Sequence, residues 1–240
     1  MNQWLNNIHQ RVQSTVIPPT CTLCGDPGSY LDHSPFDLCN PCRRDLPRLI
    51  NACARCAEPL TGNQDFDALC GRCQTKPPAF HRCQAMFAYQ PPVDHMLQSL
   101  KFNGSLEMAR LLGLLMSQWL TQIMDSRPDI LIPVPLHARR LRERGFNQAI
   151  EIARPVARRL GLAMDINNCH RIKTTSPQSD LPRKERLKNL KGAFEVIKPI
   201  HGHVAIIDDV MTTGSTAHEL AKSLILAGAD SVEVWVCARA

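Results

Sequence analysis

Val204-Ala-Ile-Ile-Asp-Asp-Val-Met-Thr-Thr-Gly-Ser-Thr216 is the stretch on which the fold turns. Val204 to Ile207 is an unbroken apolar run, as expected of a strand buried on both faces of a parallel sheet. It ends in Asp208-Asp209. The turn Thr212-Thr213-Gly214-Ser215-Thr216 follows, and a helical pattern runs from Thr216 to Ala227. Hydroxyls and backbone N–H groups at a helix N-terminus can wrap a monophosphate, with the helix dipole assisting. Gly214 allows the backbone to approach closely. Paired carboxylates at the strand end can accept from sugar hydroxyls or sit near Mg²⁺. Strand, acidic pair, polar turn and helix together suit a phosphorylated sugar at the carboxyl end of a parallel strand.

Outward from this stretch the pattern alternates. Arg82–Tyr89, Asp129–Val134, Ile166–Arg171 and Ser231–Cys237 read as strands. Pro92–Phe102, Leu106–Met124 and Phe146–Leu160 read as helices, and the polar 176–191 as a loop or exposed helix. Strands alternating with helices imply parallel βαβ units, so the expected class is α/β. Trp235 reads as a core residue of the last strand.

Between the predicted strand 129–134 and helix 146–160 lies a basic run, with Arg139, Arg140, Arg142 and Arg144 followed by Gly145-Phe-Asn147-Gln148. From His137 to Lys191 there are 14 Lys or Arg against 5 Asp or Glu, a local +9 that leaves −3 for the rest of a chain whose total is +6. A basic excess confined to one region, directly after a buried strand, points to an anionic ligand there.

Residues 20–78 differ in character. Eight of the chain's 11 cysteines form four C-x2-C pairs, 21/24, 39/42, 53/56 and 70/73. The segment repeats itself: Cys24-Gly-Asp-Pro27 matches Cys56-Ala-Glu-Pro59, and Leu38-Cys39 matches Leu69-Cys70. Two such pairs supply the four thiolates of a closed, tetrahedral, structural Zn²⁺ site. The repeat suggests two sequential sites, Cys21, Cys24, Cys39, Cys42 and then Cys53, Cys56, Cys70, Cys73; an interleaved pairing satisfies the spacing as well. Cys83, Cys169 and Cys237 have no close partner in sequence and read as core residues. The expected organisation is an N-terminal helix over 1–19, a double ribbon over 20–78 and a sheet domain over 79–240.

The start, Met1-Asn-Gln-Trp-Leu-Asn-Asn-Ile8, has no basic stretch followed by an apolar one, and no run is long enough to span a bilayer. The expectation is a cytoplasmic protein with reduced thiols.

The thirteen residues 204–216 resemble the PRPP-binding motif of type I phosphoribosyltransferases. That resemblance implies that Asp208 and Asp209 hold the ribose hydroxyls, and that Thr212, Thr213, Gly214, Ser215 and Thr216 hold the 5′-phosphate. It also implies a pyrophosphate- or DNA-phosphate-contacting loop at Arg139, Arg140, Arg144, Asn147 and Gln148. A mobile hood loop is implied around Gln178, Arg183 and Arg186. The cysteine pairs, Lys101-Phe102, Pro133-Val-Pro-Leu136, Arg144-Gly-Phe-Asn-Gln148, Thr175-Ser-Pro-Gln178, Arg186 with Asn189, and Ala227-Gly-Ala229 together resemble the ComF/GntX family of bacterial DNA-utilisation and competence proteins. This implies a zinc ribbon, with two structural Zn²⁺, fused to a phosphoribosyltransferase-type domain.

Three functions are compatible with that resemblance. One is an accessory protein in the use of extracellular DNA, with single-stranded DNA and uptake-machinery proteins as partners. A second is a PRPP- and Mg²⁺-dependent salvage transferase, against which stands a last strand that leaves little sequence for base-contacting segments beyond Ala229. The third is a PRPP-sensing binding protein. Catalytic residues and an acceptor base are not assigned by the sequence.

Overall fold

The computed structural model describes residues 18–32, 34–62, 67–173 and 191–240. The expected N-terminal helix, and the hood residues Gln178, Arg183 and Arg186, lie outside them. The chain divides into two compact units, residues 1–47 and 48–240, so the division falls between the two halves of the cysteine repeat.

In the first unit, β1 (Ser29–Leu31) pairs antiparallel with β2 (Ser34–Phe36), followed by the short helix α1 (Asn40–Arg44). Phe36 and Leu38, 1% and 0% exposed, supply its small core. An interior of that size requires a cross-link of another kind.

In the second unit the short α2 (Gly71–Thr75) precedes a five-stranded parallel sheet. Its strands are β3 (Arg82–Ala88), β4 (Ile130–Pro133), β5 (Ala163–Met164), β8 (His203–Met211) and β9 (Ser231–Arg239), in the order β3-β9-β8-β4-β5. Helices α3 (Val93–Asn103) and α4 (Leu106–Ile123) follow β3, α5 (Ala138–Arg144) and α6 (Gln148–Leu160) follow β4, and α7 (Ser215–Leu226) follows β8. A separate antiparallel pair joins β6 (Cys169–Arg171) to β7 (Phe194–Val196).

Alternation along β8 decides its packing. Val204 and Ile206 join Val232, Val234 and Val236 of β9 and Leu220 and Leu224 of α7 in one buried cluster. Cys53, Cys56 and Cys73 belong to that same cluster. The second cysteine quartet is therefore part of the sheet domain's core. Trp235 is fully buried, and Cys83, Cys169 and Cys237 are buried, as their sequence contexts predict.

Four expectations from the sequence are corrected. The strand expected at 204–207 continues through Asp208 and Asp209 to Met211, because β9 also runs on to Arg239 and the register Met211↔Arg239 satisfies both backbones. The last strand, expected to end at Cys237, is lengthened with it. The strand expected at 166–171 is reduced to Cys169–Arg171 and leaves the main sheet, pairing with the unforeseen β7. The basic run forms a helix of its own, capped by His137, whose Nδ1 accepts from the Arg139 N–H at 3.2 Å, and ended by Gly145.

Candidate functional site

Strand β4 leads outward to β5, whereas β8 leads the opposite way to β9. Adjacent strands whose connections diverge leave a crevice at their carboxyl ends, the usual ligand position of an open parallel sheet. A cavity of about 1160 Å³ opens there. Asp208, Asp209, Thr212 and Thr216 line one side, and Arg139, Arg140, Arg144, Asn147 and Gln148 line another. Residues separated in sequence by the whole of β5, β6 and β7 are thus gathered around one space.

The acidic pair is locally ordered. The Asp209 N–H donates to Asp208 Oδ1 and the Val210 N–H to Asp209 Oδ1, both at 2.9 Å. Burial pushes the Asp208 carboxyl well above the usual carboxylate range, the neighbouring charge and side chain of Asp209 push it further, and the Asp209 backbone N–H and Arg171 pull against them. Burial lowers the Arg144 guanidinium, which Asp209 counteracts and Arg140 reinforces. Burial likewise lowers Arg171, with Arg140 adding to the effect and Asp208 opposing it. Cations and carboxylates line the same cavity.

The turn is set by Gly214, whose φ of +75° favours glycine and starts α7. Thr213 Oγ1 and Ser215 Oγ share a hydrogen bond of 2.8 Å, and Ser215 is buried. Thr213, Gly214 and Ser215 are not among the residues lining the cavity; Thr212 and Thr216 are. Asn147 is occupied structurally: its Oδ1 accepts from the Ala149 N–H and its Nδ2 donates to the Val134 carbonyl, both at 3.0 Å, fixing the start of α6 against the end of β4. Arg144 Nη1 donates to Gln148 Oε1 at 2.5 Å, while Arg139 pairs with Glu143 at 2.8 Å on an exposed surface.

Tyr89, Gln98, Lys101, Phe102 and Phe146 also line the cavity. No stacking surface is legible in the sequence, because these aromatics sit singly at the ends of β3 and α3 and before α6, without a shared motif.

Two arginines hold the backbone at and just before the 212–216 turn. Arg72 of α2 donates through Nη1 to the Thr213 carbonyl at 2.6 Å. Arg239, 2% exposed, donates to the Met211 carbonyl at 3.1 Å and to the Cys56 carbonyl at 3.3 Å, and pairs with Glu58. Neither arginine's bonding is visible in the sequence, where Arg72 reads as one of several ribbon arginines able to touch phosphate and Arg239 falls beyond the strand expected to end at Cys237.

The cysteines pair sequentially: the sulfurs of Cys21, Cys24, Cys39 and Cys42, and those of Cys53, Cys56, Cys70 and Cys73, each lie within 4.8 Å of one another. A tetrahedral Zn²⁺ with bonds near 2.3 Å requires sulfurs about 3.8 Å apart. Cys24 to Cys39 is 3.7 Å and Cys56 to Cys70 is 3.6 Å, and the cysteines are free thiols rather than disulfides. Both quartets therefore fit structural zinc. They are true copies. The Cys21 N–H bonds to Asp26 and the Cys53 N–H to Glu58, at 2.7 and 2.8 Å, and the residues after the second cysteine, Gly25 and Ala57, both have positive φ, +82° and +52°. No helix among the described residues is long and apolar enough to cross a membrane.

The double zinc ribbon domain family matches residues 12–74. The DNA utilization protein YhgH of Salmonella typhi is 36% identical over 228 residues, covering 93% of this chain and 98% of that protein. Competence protein F of Haemophilus influenzae is 32% identical over 211 residues, covering 85% and 90%. Among solved structures, a purine phosphoribosyltransferase from Pyrococcus horikoshii aligns at 15% identity with a TM-score of 0.30, over 66% of this chain and 88% of that one.

Proposed function

The chain belongs to the ComF/GntX family, a phosphoribosyltransferase-type sheet domain carrying an N-terminal cysteine-rich zinc-ribbon region, and from that premise we propose that it binds a phosphoribosyl compound in the cytoplasmic handling of extracellular DNA. The observation that carries the reading is the cavity walled by Asp208, Asp209, Thr212 and Thr216 on one side and by Arg139, Arg140 and Arg144 on another. Asp208 and Asp209 accept from the ribose hydroxyls. The N–H groups and hydroxyls from Thr212 to Thr216 take the 5′-phosphate, helped by the α7 dipole. Arg144 and Arg140, together with Arg171, balance a pyrophosphate or a nucleic-acid phosphate. Asp208 and Asp209 would be the residues to hold Mg²⁺ were it to enter with PRPP, and it would supply charge neutralisation there. Single-stranded DNA and uptake proteins are the partners.

The test is calorimetric titration of PRPP with Mg²⁺ into wild type and the Asp208→Asn/Asp209→Asn variant, with 5′-phosphorylated single-stranded DNA titrated in parallel. Micromolar PRPP binding that disappears in the variant supports the reading; equal binding in both sinks it. Neutralising Arg139, Arg140 and Arg144 together should weaken DNA binding and flatten its salt dependence by roughly 0.7 in log–log slope for each phosphate no longer neutralised.

An active transferase is favoured by one observation: Tyr89, Phe102 and Phe146 line the same cavity, where an acceptor base can stack. Pyrophosphate release from PRPP in the presence of a panel of bases separates the two readings. Release that depends on one base establishes transfer; binding without release establishes the accessory or sensing role.

A further inference from the structure

At the N-terminal edge of the sheet, away from the phosphate turn, three side chains converge that the phosphoribosyl pocket does not use. His81 immediately precedes β3, His203 opens β8 and Glu233 is the third residue of β9. Their ligand atoms all lie within 4.8 Å of one another. Along β8, five residues at about 3.3 Å each put this cluster roughly 17 Å from Asp208.

The Glu233 side chain is 5% exposed, and its Oε1 accepts no hydrogen bond. It faces His203 Nε2 at 3.4 Å, which likewise has no hydrogen-bond partner. A buried carboxylate oxygen without a donor is costly unless a cation meets it. A metal ion is such a cation, and it is held by a neutral imidazole and an ionised carboxylate.

The geometry agrees. With bonds of about 2.0–2.2 Å to nitrogen and oxygen, a tetrahedral ion separates its ligand atoms by about 3.4 Å, the spacing of His203 Nε2 and Glu233 Oε1. His81 Nδ1 lies 2.8 Å from the Val232 carbonyl. Only a protonated Nδ1 can use that acceptor, so Nε2 keeps its lone pair, the outer hydrogen bond that orients a metal-ligating histidine. His81 is exposed and provides the entry path.

We propose that His81, His203 and Glu233 form a third, sulfur-free metal site that takes a divalent cation of the zinc, cobalt or nickel class. Three protein ligands leave a fourth position for solvent, so this ion exchanges where the two four-cysteine sites do not. It clamps the beginnings of β3, β8 and β9 together.

The full-length protein, with both cysteine quartets zinc-filled, is treated briefly with EDTA, desalted and titrated with Co²⁺. Calorimetry, visible absorption and tryptophan fluorescence are recorded, Trp235 lying two residues from Glu233. The expected result is one bound equivalent, quenched fluorescence and no sulfur-to-cobalt charge-transfer band. Affinity falls by about a hundredfold or more in His81→Ala and in Glu233→Gln. Because His81 is exposed, its alanine variant keeps the fold even if changes at Glu233 do not. Absence of a cobalt equivalent in wild type overturns the proposal. So does uptake with a sulfur charge-transfer band, which marks exchange at a quartet, and so does unchanged affinity in His81→Ala.

Discussion

The Arg72 guanidinium donates to the Thr213 carbonyl across 2.6 Å, joining the helix of the second cysteine quartet to the centre of the 212–216 turn. Burial acts to lower the Arg72 pKa, but the neighbouring thiolates of Cys56, Cys73 and Cys70 outweigh it and raise the value overall. One cation therefore balances the charge of a cysteine quartet and fixes the backbone of the turn proposed to bind ligand. Replacing it with methionine keeps the aliphatic stem but removes both functions. Arg72→Met should weaken PRPP binding by about tenfold, ~1.4 kcal/mol, the scale of one charge-assisted hydrogen bond. Calorimetric titration measures this, and zinc content measured alongside separates disruption of the loop from loss of the metal.

Asp208 makes binding and stability depend on pH in opposite directions. Its folded-state pKa is raised, chiefly by burial and then by Asp209. Between the ordinary carboxylate value and the raised one, the native state holds a proton that the unfolded chain has released, so stability falls as pH rises through that window. Ligand hydroxyls and Mg²⁺ require the ionised form, so PRPP affinity should rise over the same window. Asp208→Asn should be more stable than wild type at neutral pH and no more stable near pH 3. Chemical denaturation at the two pH values tests the first effect. Titration in buffers of different ionisation enthalpy tests the second, through the proton released on binding.

The two cysteine quartets should respond differently to the same substitution. Cys24 is exposed, whereas Cys56 is fully buried and its carbonyl accepts from Arg239. Cys24→Ser should remove one sulfur-bound zinc and leave PRPP affinity within about twofold. Cys56→Ser should remove one zinc and also lower PRPP affinity by tenfold or more, since Arg239 and Arg72 both lose their settings. Metal analysis and ligand titration on the same samples decide between equal and unequal effects.

Truncation locates the boundary that matters for folding. A fragment comprising 48–240 keeps Glu58 and the Cys56 carbonyl as partners for Arg239; one comprising 79–240 leaves that buried guanidinium without them. The longer fragment should unfold cooperatively in urea. The shorter should lose about 3 kcal/mol or more, or fail to fold. Equal stability of the two fragments would contradict the inclusion of the second quartet in the sheet domain's core.

Local chemistry made much of this molecule legible. An apolar run ending in two aspartates and a Thr-Thr-Gly-Ser-Thr turn identifies strand, loop and helix within thirteen residues, and repeated C-x2-C pairs identify the metal ligands, leaving sequential against interleaved pairing to the structure. What escaped was long-range or register-dependent. Strand β8 outlasts its apolar run because β9 pairs with it through Met211, and a propensity argument stops at the first carboxylate. The bonds from Arg72 to Thr213 and from Arg239 to Cys56 span 141 and 183 residues, so no local pattern announces them. His81, His203 and Glu233 come from the starts of three strands at the sheet's N-terminal edge, each an ordinary polar residue in its own segment. Asn147, read as a ligand contact, has both ends of its amide engaged in holding α6 to β4.

A duplicated module ordinarily begins as two interchangeable copies. Here the second copy is bonded to the strand and turn at the proposed pocket, through the Cys56 carbonyl and Arg72. If the proposed pocket binds its ligand, the sequence of the second copy answers to ligand affinity as well as to metal retention. Innovation is easier on a surface with one obligation. New recognition, for a different nucleic acid or a different protein, is expected to arise among the earlier cysteines, with the later ones held in place by the pocket they support.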